Sequence, residues 1–296
     1  MKPAPFTYER ADSAADAAAR LAEDGDAVAV LGGGQSLVPM MNLRLATPSR
    51  LLDITRAPDL ARIERSNGHL EIGAAVRQAQ AEDSPLVAGA VPLLHEALAD
   101  VAHREIRNAG TIGGSVAHAE AAAEIPTVAL TLDAEILARN ARGTRTIAAR
   151  DFFLSYLTTA LEPDELLVGL RFPVAGPGSG GAFVELAARK GDYALVGVAA
   201  HVVLAGGRIE RAALGYLGAG GTPLRAPAAE AALAGVTPTA EAFASAAAQA
   251  QDELSPPDDI HASSAYRRRV AGVLTRRALA VAVARARGED PAKEEM

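Results

Sequence analysis

The 296-residue chain has no cysteine. That excludes disulfides, cysteine-ligated zinc, thiolate catalysis and any iron–sulfur cluster held by this polypeptide. Tryptophan is absent and aromatic residues make up 4%, so no stacking platform for nucleic-acid bases is expected. The 29 basic residues are all arginine except Lys2, Lys190 and Lys293. Net charge is −7 and the isoelectric point is about 5.5, which argues against general nucleic-acid binding. No apolar run approaches the ~20 residues needed to span a bilayer. The opening Met1-Lys2-Pro3-Ala4-Pro5 lacks the charged-then-apolar pattern of a signal peptide, so a cytoplasmic location is expected, with the inner face of the membrane within that reading. A Walker phosphate loop is excluded because Gly-Lys-Ser/Thr occurs nowhere. The six histidines are scattered without HExxH spacing, and no metal site is expected.

What is present is an ordinary globular balance, 49% hydrophobic and 22% charged, at a length that suits two domains. The spacing predicts a helix over 13–23, with Ser13 as N-cap and Gly25 as its stop. Short apolar runs at 27–31, 51–54 and 69–72 read as strands, the last preceded by an Asn67-Gly68 turn. A helix is expected over 92–101. Residues 134–138 and 144–148 read as a hairpin, and 166–172 as a strand. The run Ala175-Gly176-Pro177-Gly178-Ser179-Gly180-Gly181 reads as a linker. Beyond it come strands at 182–187, 194–204 and 208–216, then helices at 226–234, 239–251 and 263–287. The last carries Tyr266, Val270, Val273, Leu274 and Val281 on one side. Its Arg267-Arg268-Arg269 and Arg276-Arg277 form a basic face, either solvated or a subunit contact. Residues 288–296 are expected to fray.

Two glycine-rich segments carry the chemistry. The first is Leu31-Gly32-Gly33-Gly34-Gln35-Ser36-Leu37 and the second Asn108-Ala109-Gly110-Thr111-Ile112-Gly113-Gly114-Ser115. Each follows an apolar or β-prone run and offers consecutive backbone N–H groups with little side-chain bulk. Such nests complement a phosphate. Two of them suggest one extended ligand with two phosphates, and the Ser36 and Ser115 hydroxyls could donate to its oxygens. Asp53 stands at the distance of a Rossmann acidic residue. However, Leu37 occupies the place of the third fingerprint glycine, and Pro39 is expected to disturb the following helix.

The segment from Gly32 through Pro39 to Arg44 resembles the first flavin motif of the FAD subunits of molybdenum hydroxylases. Arg107 to Glu120, containing Thr111-Ile112-Gly113-Gly114-Ser115, resembles the second. Ala123-Glu124-Ile125-Pro126 is similar to the family's following acidic segment, and Arg189-Lys190-Gly191-Asp192-Tyr193-Ala194 to its basic-Gly-Asp-aromatic element. The resemblance spans nearly the whole chain and is nearest to the medium subunit of carbon monoxide dehydrogenases. Two departures are visible: Leu31 where alanine commonly precedes the glycines, and Glu120-Ala121 where Asp-Pro is common.

The resemblance implies an α+β fold. A two-subdomain FAD-binding domain of the vanillyl-alcohol-oxidase/PCMH type spans 1–175 (subdomains about 1–56 and 57–175). A C-terminal domain with a small antiparallel sheet and helices follows at 182–287. It implies noncovalent FAD, with molybdenum–pterin and [2Fe–2S] clusters only in a large and a small partner subunit, assembled as a dimer of heterotrimers. Gly32, Gly33, Gly34, Gln35, Ser36 and Leu37, with Thr111, Ile112, Gly113, Gly114 and Ser115, would wrap the pyrophosphate. Glu124 would meet ribityl or ribose hydroxyls, and Leu166 and Leu167 would line the pocket. Tyr193 would lie beside the isoalloxazine, with Lys190 near its polar edge. No catalytic acid or nucleophile is implied. The chain would take electrons from the iron–sulfur partner and pass them to an external acceptor: a quinone, NAD or oxygen. Three other readings stay open: a self-sufficient FAD oxidoreductase, a nicotinamide-dependent Rossmann dehydrogenase, and a flavin-free binding module.

Overall fold

The computed structural model describes residues 2–24 and 27–290. The chain first builds β1 (Thr7–Arg10), α1 (Ala14–Asp24), β2 (Val28–Leu31), α2 (Leu37–Asn42) and β3 (Arg50–Asp53). The Ser13 hydroxyl accepts from the Asp16 N–H at 3.1 Å and caps α1. Ala14, Ala17, Ala18 and Leu21 bury one face of it. The expected stop at Gly25 lies outside the described residues. The three strands form a parallel sheet in the order β1-β3-β2. This sheet and α1 share a core of Ala11, Ala17, Leu21, Leu52 and Ile54.

The second body comprises β4 (Ile63–Ser66), β5 (His69–Gly73), α3 (Gln78–Glu82), α4 (Pro85–Ala90), α5 (Pro92–Leu98), α6 (Arg104–Ala109), α7 (Ile112–His118) and α8 (Glu124–Thr131). It continues through β6 (Glu135–Asn140), β7 (Gly143–Ala148), β8 (Phe153–Ser155), β9 (Thr158–Thr159) and β10 (Leu166–Pro173). Asn67 and Gly68 both adopt positive φ (49° and 77°), the geometry of a tight hairpin turn between β4 and β5. The antiparallel sheet runs β4-β5-β10-β6-β7, so the last strand returns to its centre. Helices α5, α7 and α8 pack on it through Leu94, Leu98, Ile112 and Ile125, and Phe152 joins the same core from the turn before β8.

The third body is β11 (Ser179–Ala187), β12 (Ala194–Ala205), β13 (Arg208–Leu217), β14 (Leu224–Arg225), α9 (Pro227–Leu233), α10 (Ala240–Glu253) and α11 (Ser264–Ala286). Its strands form an antiparallel sheet in sequence order, and its helices complete a separate core. The body is joined to the second one by shared packing. Phe183, Ala194, Ala199 and Leu217 belong to the core beneath the second body's sheet. The Arg285 guanidinium grips the Glu96 carboxylate with two bonds of 2.8 and 2.9 Å, and Glu96 also accepts from the Phe183 N–H at 3.0 Å. A Cβ on Gly215 would stand 1.9 Å from Thr131 Oγ1, so β13 and α8 meet at backbone distance.

Several expectations are corrected. The glycine-rich run at 175–181 is not a free linker throughout: Ser179, Gly180 and Gly181 are part of β11. Gly180 packs against α11, since a Cβ there would meet the Ala282 carbonyl at 2.0 Å. Pro39 does not break a helix. It sits in the first turn of α2, where N–H groups have no intrahelical acceptor anyway. Helix α11 turns its Ala271, Leu274, Thr275, Ala278, Leu279 and Ala282 inward, leaving Tyr266 exposed. Alanines in place of larger residues hide that stripe from the sequence pattern. Arg267 does not lie on a basic surface: it is buried, bonded to the Leu195 carbonyl and to Asp259. Gly288 (φ 77°) and Glu289 close α11, the Glu289 N–H reaching the Ala284 carbonyl at 2.9 Å. Of the expected frayed tail, residues 291–296 lie outside the described residues.

Candidate functional site

The two glycine segments meet. A Cβ on Gly33 would stand 2.4 Å from both the Ala109 carbonyl oxygen and the Gly110 Cα. A Cβ on Gly32 would stand 2.8 Å from Thr111 Oγ1, and one on Gly114 2.7 Å from the same atom. Only glycine permits this approach. Gly34 adds a left-handed backbone (φ 73°) that turns the chain from β2 into α2.

The two segments differ in their amides. No hydrogen bond of the described residues takes up the backbone N–H groups of Gly32 to Ser36. The Gln35 side chain folds back on the Gly33 carbonyl at 3.1 Å, leaving those donors open. The second segment is no loop of free amides but the start of α7. Ile112 and Gly113 donate to the Val76 and Ala74 carbonyls at 2.9 and 3.1 Å. Gly114 donates to Thr111 Oγ1 at 3.0 Å, and Ser115 to the Thr111 carbonyl at 3.1 Å. The threonine thus serves as helix N-cap. The expectation of two equivalent nests is corrected accordingly: one nest faces one capped helix end.

Between them opens a cavity of about 550 Å³, within the size range of cofactor sites. Of the residues singled out in the sequence, its wall includes Gly32, Gly33, Gly34, Gln35, Ser36, Leu37, Thr111, Gly113, Gly114, Ser115, Glu124, Leu166, Leu167 and Tyr193. Two stand apart. Ile112 is fully buried in the core beneath the sheet helices, and Lys190 is exposed outside the wall, its charge felt by Asp100. The wall also holds residues that sequence reasoning passed over: Gln78, Ile106, His118 and Glu165. Gln78, Ile106 and Glu165 lie outside both quoted motifs, whereas His118 ends α7 within the second motif but had no role assigned to it.

Glu124 opens α8 and is 5% exposed. Burial first, then the nearby Asp100 carboxylate, raises its pKa to about 7, while Arg107 opposes the shift. Glu185 is pushed up to about 8 by burial and by the charges of Glu124 and Asp100. Burial likewise lowers His118. Tyr193 comes from the β11–β12 connection of the third body and stands beside Ser36 in the cavity wall. It also walls a second cavity, of about 950 Å³, together with Glu120, Tyr156 and Arg267. Glu120 is held by the Tyr156 hydroxyl and the Ala122 N–H, both at 3.3 Å. Asp53, the Rossmann candidate, is engaged by the Tyr8 hydroxyl and by the Thr55 N–H at 2.7 Å. With no long helix after β2, that reading loses its structural context.

The donor set fits a dinucleotide with a pyrophosphate. Open amides lie in a wall that a Cβ would fill, beside an apolar lining suited to a ring system. Fold and site together define a flavin-binding oxidoreductase subunit. Residues 4–175 match the FAD binding domain of molybdopterin dehydrogenases, and residues 181–282 the C-terminal domain of carbon monoxide dehydrogenase flavoproteins. The chain is 43% identical to the 6-hydroxypseudooxynicotine dehydrogenase complex subunit alpha of Paenarthrobacter nicotinovorans, covering 100% of this chain and 99% of that one. It is 36% identical to the carbon monoxide dehydrogenase medium chain of Afipia carboxidovorans, covering 97% of this chain and 100% of that one. The solved carbon monoxide dehydrogenase of Hydrogenophaga pseudoflava, which lacks the Mo-pyranopterin moiety, superimposes with a TM-score of 0.94 at 36% identity, covering 96% of this chain and 99% of that one. The chain therefore belongs to the FAD-binding medium-subunit family of the molybdenum hydroxylases. Among the described residues no helix is long and apolar enough to cross a membrane.

Proposed function

We propose that this chain is the electron-exit subunit of its complex, holding noncovalent FAD between the [2Fe–2S] clusters of a small partner and an external acceptor. FAD supplies the exchange between single-electron and paired-electron transfer. The chain's own residues bind and orient it. The open amides of Gly32 to Ser36 take the pyrophosphate oxygens, and Thr111 holds the opposing helix end in place. Glu124, its carboxyl raised to about 7 by burial, offers oxygens for ribityl or ribose hydroxyls. Leu166 and Leu167 pack beside the ligand, and Tyr193 covers its exposed end. Lys190, exposed outside the cavity wall, would act on the cofactor's polar edge only by reaching in from the rim, where an ammonium would favour negative charge. The complex is a dimer of heterotrimers in the cytoplasm or at the inner membrane face, and substrate choice resides in the large subunit.

The observation that carries this reading is the cavity walled by both glycine segments where Gly33 meets Ala109 and Gly110. Its test is the visible spectrum of the natively purified complex, with gel analysis of what accompanies the chain. Flavin bands, FAD released by acid, and large and small iron–sulfur partners support it. A colourless chain whose melting temperature FAD does not move would overturn it.

A further inference from the structure

One polar group in the cavity wall has no use within the protein. Gln78 opens α3 directly after Arg77, which bridges to Thr111. Its backbone N–H donates to the Gly110 carbonyl at 2.9 Å. Its side chain is only 6% exposed. The Oε1 atom is closed off without a hydrogen-bond partner. It lies against Gly110, where a Cβ would stand 2.5 Å away. The cap of α3 is Arg77, not this amide, and of the amide's two ends only Oε1 is among the closed-off atoms. Closing off Oε1 without a partner is unfavourable, and a methionine would fill the same space without that cost; Nε2, the other end of the amide, is not closed off in this way. Gln78 nevertheless lines the cavity beside Gly110, whose Cα is also the contact point of Gly33.

We propose that Gln78 is a further FAD-holding residue, its Nε2 donating to an acceptor oxygen of the cofactor where the two glycine segments meet. The acceptor is a phosphate oxygen or a ring carbonyl. This rests on the reading of the cavity as the FAD site. A neutral amide suits such a place: it donates directionally without adding charge to a wall that already contains buried carboxyls. It also accounts for glycine at 110, since any side chain would displace the carboxamide.

The test titrates FAD into flavin-depleted full-length Gln78→Met and Gln78→Glu variants. Quenching of flavin fluorescence reports binding, and melting temperatures are taken with and without FAD. In Gln78→Met, affinity falls about tenfold, while the flavin-free protein melts at the wild-type temperature or above it. In Gln78→Glu the loss is larger at high pH than at low pH, because only the protonated carboxyl retains a donor. A shifted flavin absorption band in Gln78→Met assigns the partner to the ring carbonyl; an unchanged band with weaker binding assigns it to phosphate. The inference is overturned if Gln78→Met binds FAD within about twofold of wild type, or if the flavin-free variant melts clearly lower, which makes the amide a structural prop. Gly33→Ala is the control. If it loses FAD while Gln78→Met does not, only this inference fails; if neither loses FAD, the cavity reading fails with it.

Discussion

Gly33 rests on Ala109 backbone to backbone, with room for a hydrogen but not for a methyl group: a Cβ would come within 2.4 Å of the Ala109 carbonyl oxygen. Gly33→Ala must therefore push the first glycine segment away from α6 and α7. Overpacking of this kind costs about 1–3 kcal/mol, a fall of several degrees in melting temperature. FAD content per chain should fall more steeply than stability, because the open amides move with the loop. Acid-released FAD measured against protein, beside a thermal melt, checks both. Full FAD occupancy in the variant would remove this junction from the site.

Thr111 holds the other side. Its Oγ1 accepts from the Gly114 N–H at 3.0 Å and keeps the start of α7 formed. Thr111→Val preserves the shape and deletes the acceptor, at a cost of about 1 kcal/mol. FAD affinity should drop, and Thr111→Ser should restore most of it. Equal binding by the valine and serine variants would contradict a capping role.

The buried carboxyl of Glu124 sets a pH dependence. Its ordinary value is 4.5 and burial raises it to about 7. Between those values the folded protein holds a proton that the unfolded chain has released. The stability contributed by this group is complete below 4.5 and lost as pH rises through 7, with a slope of at most ~1.4 kcal/mol per pH unit. Glu185, raised to about 8, acts in the same sense. Glu124→Gln should flatten this decline in urea-unfolding curves taken across the range. An unchanged slope would assign the decline elsewhere.

Glu96 fastens two bodies together through Arg285 and the Phe183 N–H. The pair is partly exposed, with side-chain exposures of 38% and 30%, so solvent weakens the ionic share. Glu96→Ala should cost about 1–2 kcal/mol, most of it from the unpaired N–H. Limited proteolysis should then cut earlier between β10 and β11. Resistance equal to wild type would show that the shared core alone maintains the joint.

The long periodic elements were legible in the sequence. Helix α1 with its Ser13 cap, the strand leading into the first glycine segment and the β11–β13 meander all lie close to where spacing puts them, whereas the second segment follows helix α6 rather than a β-prone run. The glycine motifs themselves marked the facing edges of the cavity, but less than half of its wall. What escaped has physical causes. Thr111 to Ser115 spell a glycine loop, yet tertiary contacts from Val76 and Ala74 pin them into a helical turn. Lys190 fell next to the motif but points to solvent, because chain neighbours need not share a face. Gln78 was invisible: an amide in a polar-looking stretch acquires meaning only once Gly110 folds over it. Arg267 read as surface charge because its partners, Leu195 and Asp259, lie far off or across a turn.

Tyr193 belongs to the third body, whereas the glycine segments belong to the first two, and all face the same cavity. Whatever fills that space is therefore mortar at the junction of three bodies. Occupancy and cohesion become one thermodynamic quantity, growing with the logarithm of free ligand above its dissociation constant. A cell short of flavin would hold a chain that is not merely inactive but loosened at its central seam, and more readily cleared before it is assembled.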